Sequence, residues 1–247
     1  MKKLSLILVF ALTVCLLASC AQTPDQLYMK GNMAMSALPA EMTESYSITS
    51  DMPELEEAFS EISRLLATKM TVDKDNFTID QASGVKMILV DNTLYSSFGN
   101  EKVKVEVTEE DINKLLGTEE GEENIAVEHF ETVTMVEEDG RYVVTYEDLY
   151  KSAEDIAEES IEDLFESIGL DGSVFELYYY KIIITYSDNK FESMETEASF
   201  EFVIPGASLD IVYNLKRDFN YEDLEIPEVP SDADKYEEIS ADEFFER

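Results

Sequence analysis

The chain has 247 residues, 18 of them basic and 55 acidic, for a formal charge of −37 at pH 7. A surface this acidic repels phosphate backbones and anionic headgroups, which excludes DNA, RNA and polybasic membrane-binding roles. At 45% hydrophobic, with 13 Tyr and 13 Phe, the chain is too apolar and too regularly patterned to be a disordered acidic polymer. Its length suffices for one buried core.

The N-terminus reads Met-Lys-Lys, followed by a largely apolar run over residues 4–17. That run is about 14 residues, short of the ~20 that a bilayer span requires, so it reads as a secretory signal. It ends in Leu17-Ala18-Ser19-Cys20, which resembles the lipobox of bacterial lipoproteins. The resemblance implies cleavage after Ser19 and a diacylglycerol on the Cys20 thiol, with palmitate as a typical acyl group. The mature chain is then anchored to the outer face of the cell membrane, or held in the periplasm where the cell has two membranes. Losing residues 1–19 removes Lys2 and Lys3 and no acid, leaving 16 basic against 55 acidic side chains. Cys15 leaves with the signal and Cys20 is lipidated, so the exported domain has no disulfide, no zinc thiolate site and no cysteine nucleophile.

Residues 20–26 read as a lipidated tether. Apolar residues at 27, 29, 33 and 35 alternate with a period of two, which predicts a strand over 27–35, and a second strand is expected over 42–48. Pro53 opens a helix whose apolar face is Leu55, Ala58, Phe59, Ile62, Leu65 and Leu66. Strand character resumes at Phe77 and Ile79, then in a hairpin of 85–90 with 93–98 across Asp91-Asn92. Val103, Val105 and Val107 alternate with charged residues, and Thr108 with Asp111 caps a short helix that stops at Gly117. Residues 118–124 form an acidic loop. A hairpin of 129–138 with 141–147 turns at Asp139-Gly140. A long amphipathic helix follows over 148–168 and ends at Gly169. The last part is a meander of long strands. Residues 175–187 are apolar on both faces, which predicts a strand covered on both sides. Next come a strand that includes 193–204, with Met194, Ala198, Phe200, Phe202 and Ile204 inward, and one over 209–216, with Leu209, Ile211, Tyr213 and Leu215 inward.

Strands of this length favour a large curved sheet, and its apolar face needs a cover. The expected class is α+β: a curved antiparallel β-sheet, an incomplete β-barrel, with the helices at 53–67 and 148–168 over its concave face. One domain is read over 27–230, followed by an acidic tail over 231–247 with a helical turn near Phe244.

The stretch Ile88-Leu-Val-Asp-Asn-Thr-Leu-Tyr95, the segment Glu101-Lys-Val-Lys-Val105 and the ending Asn220-Tyr-Glu-Asp-Leu-Glu-Ile-Pro-Glu228, in this element order, resemble LolA-like and LppX-like bacterial lipoproteins. The opening helix of that family has no counterpart in the strand-like reading of 21–35. The resemblance implies an incomplete barrel around an apolar cavity that takes an acyl chain or another hydrophobic ligand. The inward residues that would line it are Met87, Leu89, Phe165, Ile168, Met194, Phe200, Phe202, Leu209, Ile211 and Tyr213, with Met87, Met135 and Met194 making the lining pliable. Without a ligand the same residues make an ordinary core. A cell-envelope protein–protein interaction module with a solid core is the alternative function.

Catalytic motifs are weak. Ser187-Asp188-Asn189-Lys190 matches two β-lactamase strings but falls at a strand turn without a Lys-Thr-Gly partner. His129 is the single histidine, which excludes two-histidine metal sites, and no Gly-x-Ser-x-Gly elbow accompanies it. The Asp73–Asp75 region lacks the glycine and glutamate of a calcium loop, with Thr78 at the sixth position. Acids at 119–123 suit only unspecific divalent binding. Sugar-stacking tryptophans are absent. The expectation is a protein without catalysis, metal or cofactor.

Replacing Cys20 by Ala is expected to leave the protein uncleaved or soluble, and metabolic labelling with palmitate checks it. Label still entering that variant would refute lipidation at Cys20.

Overall fold

The computed structural model describes residues 22–116, 127–170 and 172–245. The predicted signal segment, Cys20, the Gly117 stop and the acidic loop 118–124 lie outside them. Helix α1 (Pro24–Ala37) leads into β1 (Ala40–Ser50), and a 3-10 turn at Pro53–Leu55 opens α2 (Glu56–Leu66). Five short strands follow: β2 (Thr68–Asp73), β3 (Asn76–Gln81), β4 (Val85–Val90), β5 (Thr93–Phe98) and β6 (Glu101–Glu106). After α3 (Glu109–Leu116), the hairpin β7 (Phe130–Glu138) and β8 (Arg141–Leu149) runs into α4 (Lys151–Ser167). The long meander is β9 (Ser173–Ser187), β10 (Lys190–Ile204) and β11 (Ala207–Asn220). A two-residue strand β12 (Glu237–Glu238) and α5 (Ala241–Phe245) close the described chain.

All twelve strands belong to one open, curved sheet in the order β12-β6-β5-β4-β3-β2-β1-β11-β10-β9-β8-β7. Every described pairing is antiparallel except β12 with β6, which is parallel. The first strand β1 therefore pairs with the last long strand β11 through ten residues, from Glu41↔Asn220 to Ser50↔Ile211. On its other side β1 pairs with β2 only from Ala40 to Glu44. Beyond that point α2 takes the vacated edge: the buried Ser63 hydroxyl accepts from the Ile48 N–H at 3.1 Å, satisfying a donor that would otherwise be orphaned. On β9, Phe175 and Tyr178 are skipped in the pairing with β10. Extra residues of this kind bend a strand and sharpen its twist, which curves the sheet.

One face of the sheet carries the apolar residues, in three clusters. The first lies under α2 and α4, where Phe59, Ile161 and Phe165 meet Phe200, Phe202, Leu209, Ile211 and Tyr213. The second lies under α1, where Leu27 meets Phe130, Val144, Tyr146, Ile184, Tyr186 and Phe191. The third is built from β2–β6, with Ile112 of α3 and Phe244 of α5 against it. The buried stripe of α4 is Ala153, Ala157, Ile161 and Phe165, one residue every fourth position, as a single apolar helix face requires.

Several expectations change. Residues 27–35 are helical, not a strand, within a helix over Pro24–Ala37. Its N-terminus has the Thr23–Gln26 capping box with Pro24 in the first turn, a strong local start signal. The alternating methionines Met29, Met33 and Met35 are exposed, while the helix buries Leu27 and Gly31. Glycine carries no hydrophobic signal, so the period of two came from the wrong face. Strand β2 was not foreseen. The predicted helix 148–168 begins later, at Lys151, because β8 continues to Leu149 and Asp148 has φ of +58°. Residues 175–187 are not covered on both sides: Phe175, Tyr178 and Tyr179 are exposed at 71, 48 and 45%. The segment beyond Pro230 joins the sheet through β12 and packs Ile239 and Phe244 on the third cluster.

A Cβ on Gly31 would fall 2.6 Å from the Phe191 ring. That ring is held by Tyr28, Tyr186 and Phe219 at centroid distances of 6.0, 5.4 and 5.5 Å, so it has nowhere to move. Gly31→Ala gains about 1 kcal/mol of helix propensity but overpacks the contact by about 1–3 kcal/mol. A lowered midpoint in thermal unfolding is expected; a raised one would show that α1 does not dock closely on β10.

Candidate functional site

The ten residues predicted to line a cavity fall into all three clusters. Phe165, Phe200, Phe202, Leu209, Ile211 and Tyr213 are buried members of the first, with Ile168 packed against it. Leu89 and Met87 belong to the third, and Met194 packs on the second. The first cluster is filled by its own side chains. Phe165 stands edge-on to Phe200 at 5.7 Å and tilts against Phe202 at 4.8 Å, and all three are 0% exposed. None of the ten lines the cleft of about 610 Å³ that lies against β1–β4 beneath the crossing segment 224–228. It is polar: Lys69 pairs with Glu41 at 2.9 Å, and Thr71, Thr78, Asp80 and Lys86 complete the floor.

Between the clusters the inner face is different. The strand register places Phe219, Met42, Met70, Ile79 and Met87 in one row across β11, β1, β2, β3 and β4. The neighbouring row runs Ile184, Met194, Arg217, Glu44 and Thr68. All four methionines of these rows are half-buried. Met42 belongs to none of the three clusters, so the rows bridge the second and third with pliable side chains.

At the centre is a polar group that the sequence reading missed. Arg217 Nε donates to Glu44 Oε1 at 2.6 Å, and the Tyr46 hydroxyl donates to Glu44 Oε2 at 3.1 Å. The Glu44 side chain is 13% exposed and that of Arg217 33%. Burial works against the Arg217 charge, but the attraction and hydrogen bond of Glu44 outweigh it and hold the guanidinium above its ordinary value. The Tyr46 and Tyr213 rings sit 6.4 Å apart. Tyr180 and Tyr213 flank the small Ala198 in register, and their pKa values are raised, chiefly by burial, with Arg217 opposing in both; Tyr180 is pushed up to about 12. The hydrogen bond from Nε is the one that Arg217 makes among the described residues, which leaves its two terminal amino groups without a hydrogen-bond partner there. Glu44 and Arg217 are 173 positions apart in sequence, and only the β1–β11 pairing joins them.

The other motif residues lie in turns. Asp188 and Asn189, at φ of +50° and +62°, form the β9–β10 turn. Asn189 Oδ1 accepts from Gln22 Nε2 at 2.8 Å and Lys30 Nζ at 3.0 Å. His129 closes a 3-10 turn, and its carbonyl accepts from the Tyr150 N–H at 2.8 Å. Among the described residues no three His, Cys, Asp or Glu side chains group as a metal site.

No family model and no curated protein sequence matches the chain. The crystal structure of the Mycobacterium tuberculosis lipoprotein LppX is similar at a TM-score of 0.39 with 8% identity, covering 83% of this chain and 100% of that one. At that score the likeness carries no inference about ligand or mechanism, and the fold rests on strand order and register.

Arg217→Met is expected to leave the Glu44 carboxylate without its counter-charge. Losing one partner of a fully buried pair costs ~3–5 kcal/mol; with Arg217 a third exposed, about 2 kcal/mol is expected. Adding Glu44→Gln should recover most of the loss in urea unfolding. Equal destabilisation of the single and double variants would show that the pair is not energetically coupled.

Proposed function

We propose that the chain is a lipid-anchored, non-catalytic protein of the cell envelope that holds the apolar part of an amphiphilic molecule on the inner face of its open sheet. The site is the methionine-rich stretch between the packed clusters and not the phenylalanine-rich upper core. The observation that carries this reading is the row Met42–Met70–Ile79–Met87 beside Met194 and Arg217: half-buried, adaptable side chains around one placed polar group. Small-molecule sites typically combine such an apolar lining with a few oriented polar groups. Anchoring through Cys20 supplies the membrane partner, since two acyl chains hold a protein durably where one does not.

The protein lacking residues 1–20 retains every described element. Purified from bacteria and examined by native mass spectrometry with lipid extraction, it is expected to carry, or to take up, one amphiphile per chain. Met42→Lys should abolish that uptake with little change in thermal midpoint. A clean apo mass with no uptake of added 1-dodecanol or fatty acid would overturn the reading.

One observation favours the alternative of an envelope interaction module. Strand β7 ends the sheet, and Val133, Met135 and Val136 on it are 43, 38 and 51% exposed. An exposed edge of this kind can accept an extended segment of a partner. A cross-linker at position 134 of the anchored protein would then trap one protein, and Val136→Lys would release it.

A further inference from the structure

Four hydrogen-bond donor groups on inner-face positions of β9 and β11 have no acceptor among the described residues. Two are the terminal amino groups of Arg217. Glu44 binds this guanidinium through Nε alone, which fixes the plane of the fork and leaves its outer edge free. The other two are the hydroxyls of Tyr180 and Tyr213, which make no hydrogen bond among the described residues and are not among the fully buried unpartnered atoms. Tyr213 lies on the same face of β11 as Arg217, four residues before it, and Tyr180 is joined to Tyr213 through Ala198 in register. By contrast, the Tyr46 hydroxyl is already committed to Glu44.

The surroundings restrict what these donors can take. Met194 is the register partner of Arg217 on β10, and Met42 and Phe219 occupy the next row. A group bound at the fork therefore continues into apolar side chains. Glu44 cancels the Arg217 charge at long range, and the whole chain is strongly negative, so a dianion is repelled. A singly charged, planar oxyanion matches the fork in two parallel hydrogen bonds.

We infer that Arg217, supported by Tyr180 and Tyr213, binds the carboxylate of a long-chain acid whose hydrocarbon tail lies along Met194, Met42 and Met70. The assignment rests on the inner-face reading proposed above and adds the headgroup to it. Glu44 acts as a positioning residue. It orients the guanidinium and does not touch the ligand.

The test compares ligands of one chain length on the protein lacking residues 1–20, at a pH where carboxylates are ionised. Dodecanoate, 1-dodecanol, dodecyl phosphate and acetate are titrated by calorimetry below their micellar concentrations. Dodecanoate is expected to bind about tenfold tighter than 1-dodecanol, the scale of a charge-assisted hydrogen bond, and acetate not detectably. The double variant Glu44→Gln with Arg217→Gln, checked for folding by circular dichroism, should lose the preference for dodecanoate over 1-dodecanol. Equal affinity of the unaltered protein for dodecanoate and 1-dodecanol would overturn the headgroup assignment and leave the apolar site standing. Tighter binding of dodecyl phosphate than of dodecanoate would replace the carboxylate by a phosphate. Binding of neither twelve-carbon ligand would remove the apolar site and the headgroup together.

Discussion

An open sheet of twelve strands with one apolar face must have that face covered, and the coverage here is uneven. Among the described residues, five helices of 5 to 17 residues serve a sheet whose longest strands run 15 residues. Helices are only about 10 Å wide, so they seal separate patches: α2 and α4 over the β1, β9, β10 and β11 strands, α1 over the hairpin end, α3 and α5 over the short strands. Between the patches the sheet bridges the gap with methionine and one ion pair. The placement of a candidate site thus follows from where cover runs out, not from a loop or a motif.

Closure of the short-strand edge depends on the segment after β11. From Asn220 it crosses the outer face, lays β12 along β6 and tucks Phe244 onto the third cluster. Lys102 meets Asp232 on the way, and its ammonium stands 5.2 Å over the Tyr236 ring. Contacts so exposed are worth little singly, but the backbone pairing removes an edge that would otherwise invite association. At the opposite edge β7 itself carries Glu131, Glu137 and Glu138, and Asp139 follows it in the turn. Acids there disfavour pairing with a second copy of so negative a chain.

The strand pattern was legible wherever alternation was regular. Leu209, Ile211, Tyr213 and Leu215 face in as their spacing says, and the turns at Asp91-Asn92, Asp139-Gly140 and Asp188-Asn189 all have the positive φ that such pairs favour. What failed had local causes. Helix α1 docks through Gly31, a residue with no side chain to register in any hydrophobic pattern. The outward aromatics of β9 include two residues skipped in its pairing with β10, and an inserted residue shifts the phase of alternation without changing composition. The Glu44–Arg217 pair could not be read at all, because in a chain with 55 acids no sequence rule selects which one an arginine meets.

The ion pair also bears on why the inner face is not one continuous core. An apolar pair at positions 44 and 217, in register between β11 and β1, would join the second and third clusters and be at least as stable, since buried charges seldom gain more than their desolvation costs. Keeping a charged pair there holds the inner face apart into a rigid phenylalanine-packed part and a pliable methionine part. Phenylalanine rings locked at 0% exposure resist rearrangement, whereas methionine adapts to irregular occupants at small cost. A protein that needed only stability would have little reason to combine the two on one sheet. One that opens a limited stretch to a guest, without loosening the rest, needs that division.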